Sequence, residues 1–277
     1  MAWRKWLVRG LVFAVLGAGA LGAVAYQAWT NPAAVRAQVL NHVRGRFADG
    51  VVSVSLESAQ LRLLGGIAVS ELRVARTDGL DRKDFLYVPS AVVYHDKERL
   101  GHGAFVIRKV ELHRPQLRVV RQRDGRCNLA GLFAPCDPNE PLPAVVVEQG
   151  TILLEDRGAA PGAPVLEIKD VALTAVEDPP GVVTVTGAGK TDVAGPIRFG
   201  AVVQRATGDA TAGFEATAVP VGPDLVQRLA GVCPEAAAQV RQLSGAGAVL
   251  AHAAYHPAES RPFTYDLTCR LRDGTFS

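Results

Sequence analysis

The stretch Val52-Ser53-Val54-Ser55-Leu56-Glu57, residues 52–57, points to the fold class of this 277-residue chain. Its apolar and polar side chains alternate, and a period of two indicates a β-strand with one buried and one solvated face. The same alternation recurs along the chain in short runs that Gly, Pro or Asp separates about every ten residues. This spacing favours an antiparallel meander over β-α-β units. We therefore predict a mainly β fold with a few helices.

The composition agrees with a globular, sheet-rich protein. Apolar residues make up 48% of the chain and aromatic residues 6%, and the apolar supply is mainly Val, Leu and Ala, which suits sheets. The net charge of +3 is too small to indicate a nucleic-acid partner. Lys and Arg cluster between Arg108 and Arg126. This cluster predicts a solvated sheet face, with contact to anionic lipid headgroups as the alternative.

The segment Leu11 to Trp29 carries no charge and predicts a transmembrane helix. Nineteen helical residues span about 28 Å, close to the ~30 Å hydrocarbon core of a bilayer. Three basic residues precede it, so the N-terminus is predicted to be cytoplasmic and the rest of the chain to lie outside the cytoplasm. A cleaved signal peptide with Ala23-Val24-Ala25 as its cleavage site is the alternative. We favour a retained anchor because the apolar run continues beyond that triplet.

The remaining chain divides into three predicted parts after the anchor region, residues 1–30. Residues 31–134 hold a short amphipathic helix and a β-meander. The helix begins at Asn31-Pro32, ends at Asp49-Gly50 and packs its Val stripe on the meander. Residues 135–144 form a Pro-rich linker. Residues 145–277 form a second β-rich segment with a helical pair near 224–243. Residues 273–277 are interpreted as a turn opening a further strand, as in a fragment of a longer chain or a short family member.

Four cysteines would lie in an oxidising compartment if the predicted topology holds. Cys127 and Cys136 flank a short Pro-containing turn and are a candidate disulfide pair, whereas Cys233 with Cys269 is an alternative without local support. Sequence leaves the connectivity open. The chain contains no C-x-x-C spacing, which excludes zinc ribbons and thioredoxin-type redox motifs.

Catalytic motifs give almost no signal. Residues 187–191, Gly-Ala-Gly-Lys-Thr, resemble the end of a phosphate-binding loop, but Thr184 stands where that motif needs glycine. His252 and His256 are four residues apart in strand-and-turn sequence and are interpreted as surface histidines. We predict a protein that is not an enzyme, with no catalytic residue, cofactor or metal ligand.

The most specific pattern is residues 107–133, IRKVELHRPQLRVVRQRDGRCNLAGLF. Pro115 suits a strand start or edge, Asp124-Gly125 a tight turn, and Asn128, followed by Leu129, a cap. The run of strand, Pro, second strand and D-G-x-x-N-L resembles the signature of AsmA-like proteins. One departure is Cys127, where that family often has an aromatic residue.

The resemblance implies a periplasmic protein of a two-membrane bacterium, anchored in the inner membrane. Such proteins are similar to bridge-like lipid carriers, in which a long curved antiparallel sheet forms a half-pipe with an apolar groove. The implied function is envelope lipid transport or outer-membrane maintenance. The implied partners are the inner membrane, a phospholipid or other acyl lipid, and an outer-membrane protein. The candidate groove residues are Val52, Val54, Leu56, Leu61, Leu63, Val69, Leu72 and Val74.

A second hypothesis is a periplasmic scaffold or assembly factor for outer-membrane proteins. Such a protein acts through protein–protein contacts, because exposed sheet edges can pair with client strands. Alternation of polar and apolar residues does not separate the two hypotheses, since an ordinary sandwich core shows the same pattern.

Overall fold

The structure, a computed structural model, describes residues 31–62, 66–78, 83–96, 106–124, 126–132, 140–158, 166–192, 194–224, 226–227, 243–257 and 263–276. Within these ranges the chain forms one helix of several turns, α1 (Pro32–Arg44), and thirteen strands. The strands are β1 (Val52–Ser55), β2 (Ser58–Arg62), β3 (Gly66–Arg76), β4 (Asp84–His95), β5 (Ile107–His113), β6 (Gln116–Arg121), β7 (Ala144–Asp156), β8 (Leu166–Glu177), β9 (Val182–Thr191), β10 (Gly195–Gln204), β11 (Ala210–Val221), β12 (Leu243–Tyr255) and β13 (Phe263–Phe276). The prediction of a mainly β protein is confirmed.

Helix α1 begins where the sequence predicts and ends earlier. The side chain of Asn31 accepts a hydrogen bond from the Ala33 N–H at 3.0 Å, and a proline fills the first helical position. The helix ends at Arg44 instead of reaching Asp49-Gly50. Phe47 nevertheless stays buried beyond the helix end, with its ring edge-on to that of Phe85 at 6.3 Å between centroids. The last residue of the predicted apolar stripe therefore packs in the core although it lies beyond the end of the helix.

The strands form one sheet in the order β1-β3-β4-β5-β7-β8-β9-β10-β11-β12-β13, with β2 beside β3 and β6 beside β4 and β7. It is a mixed sheet, and the prediction of a wholly antiparallel one is wrong. Strand β7 runs parallel to both β5 and β6. The reason is that β5 and β6 are consecutive pieces of one run, and the chain crosses back before β7 begins, as parallel pairing requires. The sheet thus continues across the predicted linker at 135–144.

The C-terminal end also differs from the prediction. Strand β13 runs to Phe276 and pairs there with Leu243, so residues 273–276 extend the strand instead of forming a turn. The predicted helical pair near 224–243 lies almost wholly outside the described residues. No helix in the described part of the chain is long and apolar enough to cross a membrane. The predicted anchor, residues 1–30, is outside that part.

A crease crosses the N-terminal half of the sheet. Four non-glycine residues have positive φ angles between 51° and 56°, and three of them directly follow residues that stand in one register row, Ser70–Ser90–His113–Glu148. The positive-φ residues are Glu71, Arg114, Gln149 and Asp170. A residue with such a φ interrupts the pleat of the strand. Beyond it, side chains that would have pointed to one side of the sheet point to the other. This explains why Val69 and Leu72, three residues apart, are both buried.

The main core lies between α1 and the first strands. Val35 and Val39 of the helix, Phe47 and Leu132 pack on the inward side chains of β1 to β4. Arg36 ties the helix to this layer, since its guanidinium donates to the Leu56 carbonyl at 2.7 Å and 2.9 Å. A second, smaller cluster of Ile197, Ala216 and Val219 lies far along the sheet.

Candidate functional site: an apolar sheet face and its cleft

Two neighbouring rows of residues give the sheet one apolar face across ten strands, from β3 to β13. Strand register defines them. The first row is Ile67, Val93, Val110, Val145, Ala175, Val185, Ala201, Ala212, Ala253 and Tyr265. The second is Val69, Ala91, Leu112, Val147, Leu173, Gly187, Phe199, Phe214, Ala251 and Leu267. We call these two rows together the apolar face.

The residues between the two rows point to the other side of the sheet and are mostly polar or glycine. The intervening row is Ala68, Val92, Glu111, Val146, Thr174, Thr186, Gly200, Gly213, His252 and Asp266. Because neighbours on a strand alternate between faces, the contrast between rows reflects two chemically different surfaces. One side of the sheet suits water and the other does not.

Cover over the apolar face changes along the sheet. On β3 and β4 the rows are buried under α1, with Ile67, Val69, Ala91 and Val93 all in the main core. From β7 onward most members of the rows are half-buried. At β13 they are exposed, with Tyr265 at 58% and Leu267 at 38% of their full exposure. An apolar surface that emerges from a core and continues into solvent is a feature that binding sites share.

An apolar cleft of about 620 Å³ opens where the cover ends. Its volume falls in the range of pockets that hold small molecules, roughly 300–1,000 Å³. One wall is the end of α1 with Phe47, and the opposite wall is the segment 140–143 with the ends of β8 and β9. Its floor is the apolar face itself, including Val69, Ala91, Val93, Val110, Leu112 and Val145. The cleft is thus the covered end of a longer apolar surface.

A buried ion pair holds one wall of the cleft. Arg205 and Glu177 lie 2.5 Å apart, with side-chain exposures of 5% and 8%. The Glu177 carboxylate also accepts the Leu142 N–H at 2.7 Å and the Gly181 N–H at 2.8 Å, while Arg205 donates to the Glu140 carbonyl at 2.8 Å. These hydrogen bonds, the one from Leu142 foremost, keep the pKa of Glu177 below its ordinary value. The pair therefore fastens the segment 140–143, here called the strap, beside the sheet.

The charged residues beside the end of α1 lie at the rim of the cleft. Arg46, two residues after the end of α1, pairs with Glu140 of the strap at 2.9 Å. Burial first, and then the nearby Arg46 charge, lower the pKa of His42 from its ordinary value. The carboxylates that line the cleft, Glu140 and Glu177, are thus each paired with an arginine.

The structure places most of the predicted groove residues in the main core. Val54, Leu56 and Val74 are fully buried beneath α1, and Val52 and Leu61 pack against the same cluster. Val69 and Leu72 are also buried and line the cleft. Leu63 lies outside the described residues. The open part of the apolar face instead begins at β7, and the sequence pattern of that region carries the same alternation.

The signature segment performs a structural task. Pro115 is buried at the junction of β5 and β6, and Leu129 packs on the main core. Asp124 accepts the Arg126 N–H at 3.0 Å in a turn, while Gly125 is outside the described residues. Asn128 is completely buried, and instead of capping a helix it completes the edge of β6: its side chain accepts from the Val120 N–H and donates to the Arg118 carbonyl, both at 2.8 Å.

A residue that sequence reasoning missed locks this segment to the sheet. Arg76 at the end of β3 is buried and donates to the Asn128 carbonyl at 2.6 Å and the Ala130 carbonyl at 2.9 Å. It also pairs with Asp78, whose hydrogen bond raises the pKa of Arg76. The only sequence signal is a charged residue at an inward position of a strand.

The cysteine pair gives no disulfide in the described region. Cys127 is a free, half-buried thiol whose sulfur accepts the Leu129 N–H at 3.4 Å. Cys136 lies outside the described residues. Cys269 is free and exposed on β13.

The basic cluster between Arg108 and Arg126 is largely neutralised by carboxylates. Five of its cations have an acidic partner within 3.4 Å: Arg108 with Asp96, Lys109 with Glu111, Arg118 with Glu155, Arg121 with Asp156 and Arg126 with Asp124. This pairing weakens the case for a headgroup-binding patch. It agrees with the solvated sheet face that the sequence predicts.

The remaining candidate sites are parts of the sheet. Residues 187–191 lie within β9, so no helix N-terminus follows them. His256 pairs with Asp209 at 3.1 Å, and His252 is exposed. In the described ranges no three His, Cys, Asp or Glu side chains are grouped to hold a metal ion.

Comparison with known proteins identifies no relative of this chain. No family model, no curated protein and no solved structure matches this chain.

Proposed function

We propose that this chain binds the acyl chains of lipids along its apolar face and acts in lipid transport or maintenance of a bacterial envelope. The observation that carries the proposal is the emergence of the two apolar rows from the core at the cleft and their continuation to β13. The predicted anchor in residues 1–30 and the resemblance to AsmA-like proteins support an inner-membrane, periplasmic setting, and both stay predictions. So does the absence of enzymatic activity.

The physical chemistry of the face suits an acyl chain. Each methylene removed from water contributes about 0.8 kcal/mol, so a hydrocarbon tail is stabilised wherever apolar cover is continuous. Rows of Val, Ala, Leu and Phe give that cover without a buried polar group that selects one headgroup. The cleft supplies the most enclosed part of the surface. Such a surface favours broad recognition of tails over tight recognition of one lipid.

The proposal is tested at Val203, which is half-buried next to the two rows. Val203 stands opposite Val183, a residue of the cleft, and opposite Ala210, which leads to the exposed Tyr255. Its neighbour Val202 points to the other side of the same strand and is 37% exposed. Val203→Asp and Val202→Asp thus place the same charge on opposite faces of one strand.

The measurement is the lipid that co-purifies with the full chain, quantified by mass spectrometry after extraction in detergent. We expect Val203→Asp to lose most of the bound acyl lipid and Val202→Asp to keep it. Circular dichroism of each variant serves as the check that it is folded. Equal lipid recovery from the two folded variants, or a wild-type chain that carries no lipid and retains an outer-membrane protein instead, would overturn the proposal.

A further inference from the structure

Strand β13 lies at one end of the described sheet. In the described part of the chain it pairs with β12 alone, over Phe263 to Phe276. Every described side chain from Thr264 to Arg270 is exposed. A long edge strand exposes a row of unpaired backbone N–H and C=O groups, which is a template for pairing with another strand.

The residues of β13 alternate strictly over this edge. Tyr265, Leu267 and Cys269 lie on the apolar side of the sheet, whereas Thr264, Asp266, Thr268 and Arg270 lie on the polar side. Proline and inward-pointing charges commonly protect edge strands from pairing. This stretch has neither a proline nor a charge on its apolar side. The edge is therefore suited to continuing the sheet with both faces intact.

We propose that two copies of this chain associate by antiparallel pairing of their β13 strands, with the two-fold axis at Thr268. In this register Asp266 of one copy stands opposite Arg270 of the other, and the reverse pair forms by symmetry. The two residues are four positions apart on one strand, too far to pair within a copy. In the described part of the protomer neither has an ion-pair partner. Self-pairing supplies one to each.

The same register joins the apolar faces of the two copies. Leu267 of one copy stands opposite Cys269 of the other, so apolar residues meet on one side of the joint and charges on the other. Cross-strand pairs of opposite charge and of apolar residues both stabilise antiparallel sheets. The pairing extends the apolar face without a break. This inference goes beyond lipid binding and does not depend on it.

Charge reversal tests the register. The self-association of the full chain in detergent is measured by sedimentation velocity for wild type, Asp266→Lys, Arg270→Glu and the double variant. Each single variant places like charges opposite each other twice, and we expect it to weaken the dimer roughly tenfold or more. The double variant restores opposite charges and should regain most of the affinity.

Cross-linking tests the axis with a matched control. In a Cys269→Ser background, Thr268→Cys places two thiols directly opposite each other, within the Cα distance of about 4.4–6.8 Å that a disulfide requires. Thr264→Cys in the same background is equally exposed on the same face, but its two copies would lie about 27 Å apart. We expect a disulfide-linked dimer from Thr268→Cys alone.

Three results would overturn the inference: a monomeric wild type, single charge reversals that associate like the wild type, or equal cross-linking at positions 264 and 268. Circular dichroism of each variant excludes unfolding as the cause. Val203 lies on β10, with β11 and β12 between it and β13, and it is not part of the proposed joint. Loss of lipid binding in Val203→Asp and loss of association in the β13 variants are therefore separate results, and either proposal can be overturned without the other.

Discussion

The ring of Phe199 lies directly over Gly187 on the neighbouring strand. The two residues are register partners in β10 and β9, and a Cβ on Gly187 would lie 2.5 Å from the ring carbons Cε2 and Cζ. Glycine in a strand interior often marks such a close approach. The pair is one position of the apolar face, so the missing side chain of one strand makes room for the large one of the next.

Gly187→Ala should therefore destabilise the protein. The added methyl group forces the Phe199 ring off its position, and overpacking of this kind costs about 1–3 kcal/mol. Gly222→Ala is the control, because among the described residues no atom beyond its chain neighbours lies within 4 Å of the position its Cβ would take. The free energy of unfolding in urea is the measurement. A Gly187→Ala variant as stable as the control would show that the ring moves aside freely.

Asn128 should be the most sensitive polar residue of the signature segment. Asn128→Ala removes the hydrogen bonds to the buried Val120 N–H and the part-buried Arg118 carbonyl, so we expect a loss of about 2–3 kcal/mol. Asp124→Ala, in the exposed turn beside it, should lower the free energy of unfolding much less, because water replaces the lost partner. Urea unfolding distinguishes them. Equal losses would argue against the edge-completing role of Asn128.

Local patterns in the sequence predicted the strands and the helix, but not which face of the sheet the helix packs on. The alternation in residues 52–57 correctly indicates β1, and Asn31-Pro32 correctly marks the start of α1, since both signals come from neighbouring residues. The same alternation groups Val54 and Leu56 on one face without showing that α1 lies over it. The stripe on α1 carries part of that information, because a helix with a buried stripe must cover some apolar surface.

Structural features that depend on residues far apart in the chain have no local pattern in the sequence that predicts them. The direction of β7 depends on how the chain returns from Arg121 to Ala144, which no local period encodes. Arg76 meets Asn128 across 52 positions, and Arg205 meets Glu177 across 28. Each is an ordinary charged or polar residue in its own sequence window. The strap and its ion pair therefore appear only when the sheet is assembled.

Val54 is buried, so a charge at this position should unfold the protein. Val54 is 4% exposed and pairs with the fully buried Val74, so Val54→Asp places an unpaired carboxylate in the main core. We expect loss of the folded state, seen as a collapsed circular dichroism signal and poor solubility. Ser53→Asp, one residue away and exposed, should fold normally. A folded Val54→Asp variant would mean that α1 does not seal this part of the apolar face.

Glu177 should make the strap sensitive to pH. Its pKa is lower in the folded protein than its ordinary value of 4.5, because the carboxylate accepts the Leu142 and Gly181 N–H groups and pairs with Arg205. A lowered folded-state pKa means that the stabilisation is complete above the ordinary value. It is lost as the pH falls through the lower, folded-state value. The stabilising contribution of Glu177 thus disappears in acid and not in base.

Glu177→Gln tests this at two pH values. At pH 7 the variant leaves Arg205 without its carboxylate in a buried site, and we expect a loss of roughly 3 kcal/mol. Well below pH 4 the difference from wild type should shrink, because the wild-type carboxylate is then protonated as well. Glu148→Gln is the control, since Glu148 is 58% exposed beside His113 and such pairs contribute about 1 kcal/mol or less. Hydrogen exchange at Leu142 should quicken only in Glu177→Gln, and unchanged exchange there would contradict the fastening of the strap by this carboxylate.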